Sequence, residues 1–215
     1  MLDLFRFMID FVLHIDKHLL EIVTNYQTWT YLILFAIIFC ETGLVVTPFL
    51  PGDSLIFAAG TIAAMPAHPL SLPVLILIFF SAAFAGDNTN YFIGRFLGQK
   101  VYQKDYKLIN RKYLDKTQTF YEKHGGKTLI IARFMPFVRT FAPFVAGVGK
   151  MRYPRFLMFS IAGNILWVNL FAIAGNLFAN NSFVKQNFSL VIIGIIMVSV
   201  IPPVVTFIKH KFSRA

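Results

Sequence analysis

From Leu2 to Thr24, in LDLFRFMIDFVLHIDKHLLEIVT, apolar residues recur at helical spacing (Leu4, Phe7, Met8, Phe11, Val12, Ile15, Leu19, Ile22), and charge gathers on the other face. The pattern predicts a helix over residues 2–24 lying in a membrane interface. Asp10, His14 and His18 fall four residues apart on its polar face and read as the wet side, with no metal assigned. Further on the apolar runs become continuous. Residues 73–97, 156–178 and 188–208 each reach the length of about 20 residues that a span requires, the last with a Pro202-Pro203 kink. Two other apolar segments are interrupted. Residues 30–64 contain Glu41, Asp53 and the turn at Pro51-Gly52; residues 128–149, TLIIARFMPFVRTFAPFVAGVG, contain Arg133, Arg139, Pro136 and Pro143. A central Arg or Asp costs about 2.5–3.5 kcal/mol on insertion, so neither segment suits a single lipid-facing helix. Re-entrant hairpins buried in protein are expected instead.

Composition agrees with this pattern. The chain of 215 residues is 57% apolar and only 14% charged, with a mean hydropathy of +0.65, which predicts an integral membrane protein. One membrane domain over 1–215 is expected, ordered as the interfacial helix, a first repeat at 30–98, a basic cytoplasmic segment at 99–127, a second repeat at 128–178 and the last span. The net charge of +10 is concentrated in a few stretches. Eight basic residues lie between Lys100 and Lys127, three at Lys150, Arg152 and Arg155, and three at Lys209, Lys211 and Arg214. That distribution is the positive-inside pattern of a multi-pass protein with a cytoplasmic C-terminus, and it argues against nucleic acid as a partner. With basic residues flanking 128–149 on both sides, the second hairpin enters from the cytoplasmic face. Counting back, the first enters from the opposite face. The lone Cys40 excludes an intramolecular disulfide, no Cys/His spacing suits zinc, no cofactor is implied, and no secretory leader is expected.

Opposed hairpins predict an inverted repeat. FAAG at 57–60 matches FVAG at 144–147, and Gly86-x11-Gly98 matches Gly163-x11-Gly175. The fold class expected is an all-α integral membrane protein: an inverted repeat of two opposed re-entrant helical hairpins, about three full transmembrane helices and an N-terminal interfacial helix. Broken helices meeting near the midplane are the recurring build of secondary transporters.

Glu41, Asp53, Arg133 and Arg139 are the ionisable residues expected at depth, and intramembrane charges are the default functional candidates. Arginine keeps its charge when desolvated and presents a planar fork matched to phosphate, whereas carboxylates can take up protons. Together they allow an exchange in which carboxylates hold the arginines until protonation frees them for an anionic headgroup. The alternative is a pair of buried ion pairs that only lock the hairpins. Asp87 and Asn88 in AGDNTNY, Asn164 and Trp167 in GNILW, and Pro51, Gly52, Pro136 and Pro143 at the breaks are weaker candidates for lining the same cavity. Asn164 and Trp167 read equally well as helix packing. The basic stretch 100–127 is expected to lie against anionic headgroups, with His124 a helix-end residue.

The series Glu41, FLPGDSL, the GD at 86–87 with Gly94, RFMPFVRTFAPFVAG from Arg133 to Gly147, and GNILW ending at Trp167 resembles the DedA family of bacterial membrane proteins, of SNARE-associated or VTT type. The stretches HIDKHLLEIV and YLDKTQTFYEKHGGKT carry the same resemblance, which runs from about residue 3 to residue 210. It implies an inner-membrane protein that moves lipids between leaflets, with undecaprenyl phosphate, phosphatidylethanolamine or another phospholipid as substrate and dependence on proton motive force. The family's acidic pair falls on Glu41 and Asp53 and its arginine pair on Arg133 and Arg139. At Asp87-Asn88 a common family pattern has glycine or another residue, which leaves those two outside what the resemblance implies.

The function expected is therefore a proton-coupled translocase for a phosphate-bearing lipid, anionic or zwitterionic, rather than an enzyme. A lipid phosphatase would need a nucleophile with an acid or base within reach, and no histidine lies in or beside the hairpins. A downhill scramblase or an ion-coupled homeostasis protein remains the other class. The apolar outer faces suit a homodimer or lipid equally well.

Overall fold

A computed structural model describes residues 15–43, 52–65, 70–103 and 126–179, with single positions at 181, 184, 190, 191, 194, 195 and 197. Its helices are α1 (Ile15–Tyr26), α2 (Trp29–Gly43), α3 (Gly52–Ala63), α4 (Leu72–Gln103), α5 (Lys127–Ala132), α6 (Pro136–Val148) and α7 (Tyr153–Phe178). No strand occurs among the described residues. The expected spans at 73–97 and 156–178 appear as Leu72–Gly98 and Tyr153–Phe178, 27 and 26 residues long and apolar enough to cross a membrane. Most of the span at 188–208, most of the basic segment and residues 2–14 lie outside the described residues, as does Pro51.

The remaining apolar helices are too short to span. α3 has 12 residues and α6 has 13, against about 20 for a bilayer crossing. The second interrupted segment breaks at the first of its two prolines, Pro136, while Pro143 lies inside the helix that follows. Successive short turns carry the chain out of α5, with Arg133, Phe134 and Met135 N–H donating to Ile130, Ile131 and Ala132 C=O at 3.2, 3.1 and 3.0 Å. Met135 is then extended (φ −119°, ψ 105°), as a residue before proline prefers, and Pro136 opens α6 at a position where its missing N–H costs nothing. α6 ends in a left-handed turn at Lys150 (φ 53°), with Met151 N–H donating to Ala146 C=O at 3.0 Å. This turn leads the chain into α7.

Contacts cluster in two units, and α2, α4 and α7 contribute residues to both. The first contains α1, the start of α2, α3, residues 72–79 of α4 and α7 from Val168 onward. In it α3 is buried from Gly52 to Ile62, and α1 packs against it. α3 crosses α7 backbone to backbone: a Cβ added at Gly60 would collide with the carbonyl of Ala172, and one at Gly175 with the carbonyl of Phe57. Thr61 Oγ1 and Asn176 Nδ2 tie the crossing with hydrogen bonds to Gly175 C=O (3.1 Å) and Gly60 C=O (3.2 Å). Small residues that let helices touch, joined by interhelical hydrogen bonds, replace the hydrophobic drive that lipid does not supply.

The second unit contains Ile38–Phe49 and Phe80–Trp167. Its core is Tyr91, Leu129, Ala132, Ala142, Ala146, Met151 and Phe156, with Tyr91 stacked on Phe156 at 4.3 Å. The same reciprocal crossing recurs here between α4 and α6. A Cβ at Gly94 would strike the carbonyl of Phe144, and one at Gly147 the carbonyl of Tyr91. Phe57 and Gly60 therefore occupy the places of Phe144 and Gly147, as FAAG and FVAG suggested. Their partner glycines are Gly175 and Gly94, however, one helical turn from the Gly98–Gly175 match drawn from spacing. The physical reason is that two glycines a fixed distance apart do not reveal which of them faces a neighbour, and helix contact decides that.

Residues whose added methyl would meet main chain have no neighbour able to yield. Gly94→Ala and Gly147→Ala are each expected to lower stability by about 1–3 kcal/mol, the range for overpacking, in thermal unfolding of the detergent-purified protein. Gly194→Ala, where nothing among the described residues lies within 4 Å, should leave the midpoint unchanged or raise it slightly, because alanine favours helix.

Candidate functional site

The second unit collects four charges that sequence spacing had scattered. Arg133 caps the C-terminus of α5 and Arg139 lies in the first turns of α6, so the two arginines stand on either side of the break between these short helices. Glu41 comes from the last turn of α2 and Asp87 from the middle of α4. α2 and α4 approach closely at this level, where a Cβ on Gly43 would stand 3.1 Å from Gly86 Cα. None of the four side chains belongs to a residue more than 3% exposed.

They form two ion pairs: Arg139 Nη2 with Glu41 Oε1, and Arg133 Nη2 with Asp87 Oδ2. A charge withdrawn from water is tolerated only when paired and hydrogen-bonded, and the supporting groups differ between the pairs. In one the arginine is steadied, with Arg139 Cζ lying 5.0 Å from the centroid of the buried Trp167 ring, in cation–π range. In the other the acid is steadied: Ser160 Oγ (2.5 Å) and Asn164 Nδ2 (3.0 Å), one turn apart on α7, both donate to Asp87 Oδ2. Asp87 Oδ1 and Arg133 Nη1 have no hydrogen-bond partner among the described residues. A cleft lined by Asp87, Leu129, Arg133, Arg139, Ala142, Pro143, Phe156 and Ser160 runs between the arginines, and it is too narrow to hold a water molecule.

Glu41, Arg133, Arg139, Asp87, Asn164 and Trp167 are thus brought together, and Pro143 lines the cleft. Pro143 also supplies no N–H to the carbonyl of Arg139 one turn earlier. Asn88 points elsewhere, accepting from Tyr153 OH at 2.8 Å and donating to Phe84 C=O at 2.7 Å, and so serves helix packing. Pro136 is placed at the start of α6 and Gly52 at the start of α3. Asp53 is buried in the first turn of α3, in the first unit. The acid found on Arg133 is Asp87.

Two polar residues were missed. Ser160 is one, and its signal was its position four residues before Asn164 on the same face of α7. The other is Asn90, three residues after Asp87. Its Nδ2 donates to Thr42 C=O at 2.5 Å and to Thr140 C=O at 3.1 Å, joining α2 to α6 beside the ion pairs.

Comparison with known proteins gives three kinds of result. The VTT domain matches residues 50–177. Protein DedA of Escherichia coli (strain K12) is 53% identical over 215 residues, covering 100% of this chain and 98% of that one. An uncharacterized membrane protein of Mycobacterium tuberculosis (strain ATCC 25618 / H37Rv) is 42% identical over 182 residues, 84% of this chain and 80% of its own. Inner membrane protein YghB of Escherichia coli (strain K12) is 33% identical over 179 residues, with shares of 83% and 78%. No solved structure matches the chain.

Removing one member of a buried pair leaves the other charge uncompensated. Glu41→Gln and Arg139→Gln are each expected to cost up to about 3–5 kcal/mol. The double substitution should cost clearly less than the sum, by an interaction energy of about 0.5–3 kcal/mol in a denaturation cycle.

Proposed function

This membrane protein belongs to the DedA family of VTT-domain proteins, and on that premise we propose that it moves a phosphate-bearing lipid between leaflets in exchange for protons. The observation that carries the reading is the cleft with two buried arginines, each held by a carboxylate. Guanidinium groups bind phosphate through paired charge-assisted hydrogen bonds, so an anionic headgroup can take the place of the carboxylates while its chains stay in the bilayer. The lipid proposed is undecaprenyl phosphate or a phospholipid such as phosphatidylethanolamine. Glu41 and Asp53 are the proton-carrying groups proposed from the sequence. Each elementary charge moved through the field is worth about 2.3 kcal/mol per 100 mV, which gives proton motive force a means of setting direction.

In this reading α5–α6 is a hairpin that dips into the membrane from the cytoplasmic face, and α2–α3 is its inverted counterpart from the other side. The location proposed is the bacterial inner membrane, with the C-terminus cytoplasmic. The short apolar helices, the break at Arg133–Met135 and the recurrence of the reciprocal glycine crossing support this topology. The narrow cleft requires that the hairpin move before a headgroup enters.

The test is headgroup flipping in proteoliposomes, comparing polyprenyl phosphate, phosphatidylethanolamine and phosphatidylglycerol with and without a pH gradient. Flipping of one of these lipids should follow the gradient. It should fall more than about tenfold in folded Glu41→Gln and Arg139→Ala, as loss of a buried hydrogen-bonded charge contact implies. Flipping indifferent to the gradient would instead favour a downhill scramblase, and rates equal to empty liposomes for every lipid would remove the translocase reading.

A further inference from the structure

We propose that Asp87 is a proton-exchanging carboxylate of this cleft, which releases Arg133 when protonated, so that binding of an anion at Arg133 takes up a proton at Asp87. The inference rests on the phosphate-binding reading above and adds a residue and a proton to it. Neither follows from the four charges marked by the sequence.

Three features of the geometry carry it. All described hydrogen-bond donors to Asp87 (Arg133, Ser160 and Asn164) converge on Oδ2, whereas Oδ1, equally buried, has no hydrogen-bond partner among the described residues. A proton therefore has a vacant oxygen to bind without displacing a donor. Second, Ser160 and Asn164 can go on donating to Oδ2 once the group is neutral, so protonation weakens only the contact that depends on charge, the one to Arg133. The carboxyl keeps its place and the guanidinium is released. Third, Arg133 Nη1 has no hydrogen-bond partner among the described residues, and Arg133 and Asp87 line one cleft with Arg139. An anion in that cleft would meet an arginine already half engaged.

Among the described residues of this unit, the charged groups around Asp87 are Arg133 from the end of α5 and Arg139 from α6, with Glu41 of α2 paired to Arg139; α7 presents the neutral Ser160 and Asn164. Both cations favour the ionised acid while the cleft is empty. An entering anion offsets them and draws the proton in. The step balances as one proton taken from water onto Asp87 Oδ1 and one ion pair exchanged, Arg133–carboxylate for Arg133–phosphate.

The experiment is calorimetric titration of the full chain, purified in detergent, with inorganic phosphate in buffers of different ionisation enthalpy, which yields protons taken up per phosphate bound. The parent should take up protons on binding, and Asp87→Asn should take up about one fewer per phosphate, with affinity that depends less on pH. If Asp87→Asn does not fold, because Arg133 is left buried beside a neutral group, the double variant Asp87→Asn with Arg133→Gln removes both charges. Phosphate should then bind more weakly at Arg139, with the same loss of one proton. Full proton uptake in a folded variant that still binds phosphate would overturn the role of Asp87 and leave the translocase reading standing. A parent that binds no phosphate would overturn both.

Discussion

A guanidinium removed from water needs an acid and further hydrogen bonds around it, and this requirement organises the second unit. Arg133 and Arg139 stand six residues apart on either side of a proline break, and each must find a carboxylate on another helix. Glu41 reaches Arg139 from the end of α2, and Asp87 reaches Arg133 from mid-α4. Close approach of α2 to α4 at Gly43 and Gly86 places the two acids at one level. Asn90 then ties α2 to α6 through two carbonyls. The short helices, the break and the close contacts are all conditions for keeping four charges in a dry place.

Apolar runs and their interruptions made much of this architecture legible in the sequence. Continuous runs gave the two long helices within a few residues, because span length is set by the bilayer and composition alone reports it. Pro136 gave the break, since proline both ends one helix and opens the next. The arginines and Glu41 could be marked because charge in an apolar segment is costly enough to need a reason. What the sequence could not show was pairing. Asp53 and Asp87 are both acids within apolar helices, and nothing local says which of them meets Arg133.

Ser160 went unnoticed for the opposite reason. A serine costs little in a membrane helix because it can bond back to its own backbone, so its presence carries almost no information. It gains meaning only from what stands across from it, here Asp87 Oδ2 at 2.5 Å. Asn88 shows the converse: a polar residue beside Asp87 in sequence turns to Tyr153 and serves packing, since neighbours along a helix point about 100° apart.

The glycine crossings set the spacing of α4 and α6 by main chain rather than by side chains. At Gly94 and Gly147 the contact is carbonyl against Cα, a surface common to every residue type and indifferent to rotamer. The approach of the helix that carries Asp87 to the helix that carries Arg139 is therefore gauged by atoms that substitution on the outer faces does not change. Exposed apolar residues such as Phe96, Phe141 and Leu166 can be exchanged for others without touching the main-chain contact that holds α4 against α6.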